Sequence, residues 1–276
     1  MTPEARKVIH SLPMLEAVKY FDLYEEQGRK EKKLQMVVRD LCLNDLFYLL
    51  VRVCQRKDML HPWIYARVRE VEKDPAGFLD LWAREHYKST IITFGKTIQD
   101  ILNDPETTIG IFSHTRPIAK AFLRQIMREL ENNQILIGAF PDVLWGEKLK
   151  DAPKWSEDEG IILRRKTNPN EATVEAWGVV DGQPTSKHFR VLLYDDVVVR
   201  DSVTNEEMMA KTMQQLEMSY NLGSVGGTRR FTGTRWHWSD AYRTIMDRGT
   251  AKPRLYPGKE GGEETGRSVY WPEEIH

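Results

Sequence analysis

The sequence predicts an α/β protein with a mainly parallel central sheet flanked by helices, preceded by a helical segment. From residue 78 onward, short apolar runs typical of buried strands alternate with amphipathic stretches of helical period. Strands separated by helices favour parallel pairing, because parallel neighbours need a crossover connection. Besides the run at 78–82, strands are predicted at 107–113, 160–165, 172–180, 189–194 and 229–234.

Helices are expected among these strands at 116–130, 204–220 and 240–248. Thr204, followed three residues later by Glu207, predicts a capping box at the start of the second of them. The glycine-rich segment 223–227 is expected to be a flexible loop. After Gly249 the chain is expected to become irregular, because prolines and glycines interrupt every apolar pattern there.

The first 60 residues carry apolar side chains at helical spacing, among them Val37, Leu41 and Leu50. They predict an N-terminal helical subdomain at 1–60, and a further helix is expected to open at Pro62. We therefore expect residues 61–258 to form the α/β domain and residues 259–276 to begin a linker.

The composition is that of a soluble globular protein, with 276 residues, 41% hydrophobic and 29% charged, and a net charge of −1. This balance argues against a uniformly basic nucleic-acid binder and leaves room for a local basic face. Cys42 and Cys54 lie in helical patterns without metal-ligand spacing, which indicates a reducing compartment. No apolar run approaches the roughly 18 residues of a membrane span, and no signal-peptide layout is present, so a cytoplasmic location is expected.

A candidate phosphate-binding loop follows the first strand. A short polar turn leads to Lys88-Ser89-Thr90 and then to apolar residues at helical spacing. In this order, backbone N–H groups and the lysine surround phosphate, and the hydroxyl ligates Mg²⁺. The glycines of the regular GxxxxGK[ST] pattern are replaced by Trp82 and Tyr87, and an ordinary capped helix start is the alternative. The candidate nucleotide-binding residues are Arg84, Glu85, His86, Tyr87, Lys88, Ser89 and Thr90.

Two adjacent carboxylates, Asp195 and Asp196, end the most apolar predicted strand, which is typical of the middle of a parallel sheet. Ligands of α/β proteins bind at the carboxyl ends of such strands. In a P-loop enzyme, Asp195 would hold Mg²⁺ through the water shell of the ion, together with Ser89, and Asp196 would orient and deprotonate the attacking water. The alternative is that the pair only ends a strand and begins a turn.

A third segment, Thr232-Gly233-Thr234, ends the strand predicted at 229–234. Next to the carboxylate strand, such an end brings a hydroxyl near the γ-phosphate, so we expect it to couple nucleotide state to movement. The alternative is a strand with a bend at Gly233 and with Trp236 in the core.

These segments resemble the ATPase half of the large terminase subunit of tailed bacteriophages, the motor that drives DNA into the capsid. The resemblance is carried by residues 84–89, with an arginine four positions before the lysine, by Asp195-Asp196, and by the run Thr-Gly-Thr-Arg-Trp-His at 232–237. It covers about residues 60–275. It implies an ASCE-type P-loop NTPase that uses ATP and Mg²⁺, with Lys88, Arg84 and Asp196 as catalytic residues and Arg84 as a cation on the γ-phosphate.

The resemblance also implies partners: double-stranded DNA, a small terminase subunit, the portal of the procapsid and other copies in a ring, all in the host cell cytoplasm without a membrane. A neighbour's arginine would complete the site in such a ring, and the sequence does not choose among Arg116, Arg124, Arg164, Arg165, Arg200 and Arg229. DNA contacts are expected to be directed at phosphates. The candidates are Arg164, Arg165, Lys166, Arg229 and Arg230.

Two residues depart from the family's pattern, since Tyr87 stands where a glycine precedes the lysine and Asp196 where glutamate is usual. In the family a nuclease domain follows the ATPase. The resemblance covers only the ATPase half, so we expect no nuclease activity from this chain. Two other functions stay open: a non-hydrolysing nucleic-acid-binding or assembly scaffold with a degenerate loop, and a helicase-like ATPase, which would require a second α/β motor domain.

Overall fold

The computed structural model describes residues 2–257, 259–260 and 263–264. The linker predicted for residues 259–276 lies outside them, apart from the short antiparallel strands Lys259–Glu260 and Glu263–Glu264. Across the described ranges, none of the helices combines the length and the apolar character that crossing a membrane requires.

The chain begins with helices, as its apolar spacing predicts. Thr2 caps the first one by accepting a hydrogen bond from the Ala5 N–H at 3.1 Å, and Pro62 occupies the first turn of the fifth. A π-helical turn, Leu49–Val53, continues the short fourth helix. The helices are α1 Pro3–Ser11, α2 Met14–Lys30, α3 Leu34–Asn44, α4 Leu46–Tyr48 and α5 Pro62–Lys73.

Eight strands form one sheet in the order β3-β4-β5-β2-β6-β7-β1-β8. All pairings from β5 to β8 along this order are parallel, and β3–β4 and β4–β5 are antiparallel. Strand β7 therefore separates β1 from β6. The strands are β1 Phe78–Trp82, β2 Ile109–Ser113, β3 Trp155–Ser156, β4 Gly160–Ile161, β5 Val174–Gly178, β6 Phe189–Asp195, β7 Gly223–Gly233 and β8 Lys252–Tyr256.

Helices cover both faces of the sheet, so its middle strands are buried on both sides. One face carries the N-terminal helices with α6 Lys96–Asn103 and α7 Arg116–Asn132, which share one hydrophobic core with β2 and β6. The other face carries α9 Glu206–Ser219 and α10 Ala241–Asp247. The remaining helix, α8, spans Gln134–Ala139. A mixed α/β fold with a mostly parallel, helix-flanked sheet is thus confirmed.

Two predictions of local structure before β7 are wrong. The strand predicted at 160–165 is limited to β4, because the Arg164 N–H bonds the Val143 carbonyl and not a neighbouring strand. Helix α9 is capped by Asn205, whose side chain accepts from the Met208 N–H at 2.9 Å. The Thr204 hydroxyl instead donates to the Asp201 carbonyl at 3.0 Å, so no capping box forms there.

Two further predictions, at the end of the sheet, are also corrected. The predicted loop at 223–227 belongs to β7, although the register shifts from Phe189↔Gly223 to Val191↔Thr228 and leaves an exposed bulge between them. The segment expected to be irregular after Gly249 contains β8, which pairs in parallel with β1. Pro253 is tolerated in β8 because this strand lies at the edge of the sheet.

Arg254 ties the edge strand β8 to β1. Its guanidinium donates two hydrogen bonds of 2.8 Å to the two carboxylate oxygens of Asp80, and both residues are buried. It also lies 4.1 Å from the centroid of the Phe78 ring. A two-pronged pair of this kind offsets much of the cost of burying the charges. It fixes the strand that leads into the candidate phosphate loop.

Candidate nucleotide-binding site

The loop between β1 and the next helix turns sharply before Lys88. Glu85 and Tyr87 have positive φ angles of 66° and 61°, while His86 between them does not. Backbone that alternates in this way directs successive N–H groups to one side and forms an anion-binding nest. The helix then begins with the π-helical turn Thr90–Gly95 and continues as α6. The loop backbone therefore suits a phosphate although it contains no glycine.

An open cavity of about 390 Å³ lies on this loop. It is lined by six of the seven predicted nucleotide-binding residues together with Arg56 from the N-terminal helical segment. Arg84, the seventh, is exposed and stacks its guanidinium 4.3 Å from the centroid of the Trp236 ring. A larger cavity of about 500 Å³ lies between α9 and α10 and contains none of the predicted phosphate-loop residues.

Packing on the Trp63 side holds the loop in place. The His86 ring meets the Trp63 ring edge to face with 5.2 Å between centroids. Its Nδ1 donates a hydrogen bond to the Arg84 carbonyl at 2.7 Å, which closes the turn from inside. Trp63 also packs edge to face against Trp82, the last residue of β1. Large aromatic rings thus support this loop at the point where the regular pattern has its first glycine.

The two carboxylates at the end of β6 lie beside the start of the helix. The Ser89 hydroxyl donates to Asp195 Oδ1 at 3.1 Å, across 106 positions of sequence, and the Thr93 hydroxyl donates to Asp195 Oδ2. Lys88 Nζ lies 3.8 Å from Asp196 Oδ1. The structure therefore brings Lys88, Ser89, Asp195 and Asp196 together, as the sequence hypothesis requires.

Burial, followed by the negative charge of Asp196, raises the pKa of Asp195 from 3.8 to about 7. The hydrogen bonds from Thr93 and Ser89 and the charge of Lys88 oppose this effect. Asp195 is completely inaccessible to solvent, so an added cation at its carboxylate would restore the charged form.

This pKa predicts a pH-dependent Mg²⁺ affinity. Below a pKa of about 7 the Asp195 carboxyl holds a proton that a cation must displace. We therefore expect the apparent affinity for Mg²⁺ to rise with pH, by about tenfold per unit below that pKa. Calorimetric Mg²⁺ titrations at pH 6, 7 and 8 would measure it, and Asp195→Asn should remove the dependence.

In the protein without a bound cation, the same raised pKa makes the free energy of unfolding decrease as the pH rises. Because the folded state prefers the protonated carboxyl, this contribution to the free energy of unfolding is present at low pH and is lost as the pH rises through about 7. A Mg²⁺ affinity that does not change between pH 6 and pH 8 would contradict this view of Asp195.

Thr232 lies beside Asp195 in the register of β6 and β7, and beside Asp80 in that of β7 and β1. Within the described residues, the buried side-chain oxygens Thr232 Oγ1, Ser113 Oγ and Asp196 Oδ1 have no hydrogen-bond partner. They belong to residues at or next to the carboxyl ends of the neighbouring strands β2, β6 and β7. Buried polar atoms without partners are costly, so this edge of the sheet fits a polar ligand or ordered water.

Gly233 allows a close approach in the segment predicted to couple. A Cβ at this position would lie 2.0 Å from the Tyr242 hydroxyl oxygen, and that ring is completely buried. The same hydroxyl accepts a bond from the Val198 N–H at 3.4 Å, so one side chain of α10 touches the ends of both β7 and the carboxylate strand. Trp236 is half-buried, and it packs both against the hydrophobic core of this face and against Arg84. Thr234 is half-buried as well.

Arg229 and Arg230, two of the residues predicted to bind DNA, differ in their exposure. Arg230 is buried and pairs with Asp100 at 2.5 Å, so in this structure it cannot meet a DNA phosphate. Arg229 is exposed and lies 4.5 Å from the centroid of the Tyr220 ring.

Residues 164–166 lie elsewhere, beyond β4. The Arg164 guanidinium stacks on Trp145 at 4.7 Å, and Arg165 donates to the carbonyl oxygens of Pro169 and Glu171. The Lys166 N–H bonds the Glu106 carboxylate at 2.5 Å. Two further trans candidates also have partners, since Arg124 pairs with Glu157 and Arg116 stacks on Trp177 at 4.6 Å.

Sequence reasoning missed two contributors to the site. Thr93 lies four residues after Ser89, on the same helix face, and this spacing was a usable signal for a second hydroxyl facing Asp195. Arg56 lines the loop cavity although it belongs to a turn of the N-terminal helical segment, and no local sequence pattern predicts such a contact. Among the described residues, no group of three or more His, Cys, Asp or Glu side chains is placed to hold a metal ion.

Comparison with known proteins adds no relative. No protein-family model matches the chain, and a search of the curated proteins finds no significant match. The terminase resemblance therefore rests on the motifs themselves and on the residues that they bring together.

Proposed function

We propose that this chain is the ATP-hydrolysing motor domain of a bacteriophage large terminase and drives double-stranded DNA into the procapsid. The observation that carries the proposal is the convergence of the predicted phosphate-loop residues with the two carboxylates. Lys88 and Ser89 meet Asp196 and Asp195 at 3.8 Å and 3.1 Å. A lysine, a hydroxyl and two acids at the carboxyl edge of a parallel sheet are what a magnesium nucleotide requires.

The strand order supports the same proposal. Strand β7 lies between β1, which leads into the loop, and β6, which carries the acids. This insertion is the arrangement for which the ASCE class of P-loop NTPases is named. It places the Thr-Gly-Thr segment at 232–234 between the loop and the acids, in line with a coupling role for Thr232, Gly233 and Thr234.

The donor set fits Mg²⁺ rather than a metal that needs a full protein cage. Mg²⁺ usually takes only one or two protein oxygens and completes its shell with water and phosphate. Ser89 and Asp195 would supply those oxygens. When bound, the ion would neutralise the charge that develops on the phosphates.

The other roles in ATP binding and hydrolysis fall to the loop backbone and to three side chains. The loop N–H groups and Lys88 hold the phosphates of ATP. Asp196 has a carboxylate oxygen without a hydrogen-bond partner and a partly exposed side chain, so it can accept a proton from a water molecule aligned with the γ-phosphorus. Arg84, at the rim of the loop, would leave Trp236 to reach the γ-phosphate. The small terminase subunit, the portal and other copies in a ring would be the partners.

Steady-state hydrolysis of MgATP by the purified chain tests the proposal, with linear double-stranded DNA added as a second arm. We expect Mg²⁺-dependent turnover that double-stranded DNA increases. Absence of turnover in every arm, with nucleic acid still bound, would favour the non-hydrolysing scaffold. Stimulation by single strands alone would favour the helicase-like alternative.

A further inference from the structure

A turn of the N-terminal helical segment touches the phosphate loop at Tyr87. Gln55 takes a positive φ of 57° after the π-helical turn, and this reversal brings the next residues beside the loop. The Arg56 guanidinium lies 5.6 Å from the centroid of the Tyr87 ring, and both residues line the loop cavity. Arg56 and Asp58 are joined by two hydrogen bonds of 3.0 Å and 2.7 Å.

Tyr87 has a conformation that bulky residues rarely adopt. Its φ of 61° lies in the left-handed region, where glycine is favoured because it has no Cβ. Such a residue persists only when its surroundings hold it. The Tyr87 carbonyl also accepts the first hydrogen bond of the following helix, from the Ile91 N–H at 2.9 Å. The conformation of Tyr87 therefore sets the direction in which Lys88 and Ser89 leave the loop.

We propose that Arg56, held in place by Asp58, is a positioning residue that keeps Tyr87 in the left-handed conformation and so replaces the missing glycine of the phosphate loop. The geometry gives each a separate role: the Arg56 guanidinium lies over the Tyr87 ring, and the Asp58 carboxylate accepts the two hydrogen bonds that fix this guanidinium. The helical segment is thereby coupled to the site. The nucleotide consequence of this inference rests on the proposed function, but the contact itself does not.

The first test asks whether a glycine relieves the requirement. Arg56→Met and Asp58→Ala should each weaken the binding of MgATP about fivefold, which corresponds to the loss of one cation–π contact. In a Tyr87→Gly background, Asp58→Ala should change the affinity less than about twofold, because glycine adopts positive φ without support. Calorimetry measures the native protein and the four variants. Equal weakening in both backgrounds, or none in either, would overturn the inference.

The second test needs no nucleotide. Amide hydrogen exchange of peptides covering residues 84–90 should become faster in Arg56→Met and Asp58→Ala. Asp22→Ala is the matched control, since it removes another partly exposed carboxylate that pairs with an arginine, Arg52, in the same helical segment. Unchanged exchange in Asp58→Ala would by itself overturn the inference that this contact positions Tyr87. If exchange is faster in these variants but the native chain binds no MgATP, the proposed function is rejected and the positioning of Tyr87 still holds.

Discussion

Asp196→Asn is expected to slow ATP hydrolysis by about 10²- to 10⁴-fold, the usual contribution of a general base. The amide keeps the size of the side chain but cannot take the proton of the attacking water. Asp196 has a φ of 47°, and asparagine tolerates this left-handed region well, so the variant should keep the native backbone. Pre-steady-state and steady-state turnover of MgATP would measure the loss.

Nucleotide binding should survive this substitution, because the loop, Lys88 and Ser89 are untouched. The affinity for MgATP is expected to stay within about threefold of the native value, below the effect of a typical lost hydrogen bond to charge. Asp201→Asn, an exposed carboxylate five positions along the chain, serves as the control and should hydrolyse ATP normally. Native turnover in Asp196→Asn would remove Asp196 from the role of base.

Lys88→Met is expected to weaken the binding of MgATP about 10- to 100-fold, since a hydrogen bond to a charged group contributes about 1.5–3 kcal/mol. Methionine retains the packing of the aliphatic stem and removes only the ammonium group. Lys88 is 8% exposed and lies next to the loop N–H groups, so its charge would act on phosphate with little screening. Equilibrium titration with MgATP would give the change.

Lys96→Met provides a control of the same burial, because Lys96 is also 8% exposed but pairs with Asp100 on the far side of the π-helical turn. Its nucleotide affinity should match that of the native chain once both variants are shown to be folded. Should Lys88→Met bind MgATP as tightly as Lys96→Met, the anion site would have to lie elsewhere.

Much of the fold follows from the sequence because burial on both faces leaves a strong pattern. Strand β6 is an almost continuous apolar run and lies in the middle of the sheet, as predicted. Strand β8 has no such pattern. Its segment contains Pro253, and it is held by the buried pair of Arg254 and Asp80, a contact between residues 174 positions apart. A contact between residues so far apart leaves no local pattern in the sequence, so this strand could not be predicted.

The candidate site likewise has features that the sequence predicts and features that it does not. The convergence of Lys88 with Asp196 was predictable because motifs at the carboxyl ends of parallel strands share one edge. The positive φ of Tyr87 was not, since nothing in the residue type favours it. The buried position of Arg230 escaped prediction as well, because its partner Asp100 lies 130 positions away.

The central claim is that Lys88, Ser89, Asp195 and Asp196 surround one magnesium triphosphate. The most direct test is a crystal structure of the chain with Mg²⁺ and a non-hydrolysable ATP analogue. We expect the ion about 2.1 Å from the Ser89 hydroxyl, with the β- and γ-phosphates on the loop N–H groups and on Lys88. A nucleotide bound in the cavity between α9 and α10, with the loop at residues 84–90 empty, would contradict the account.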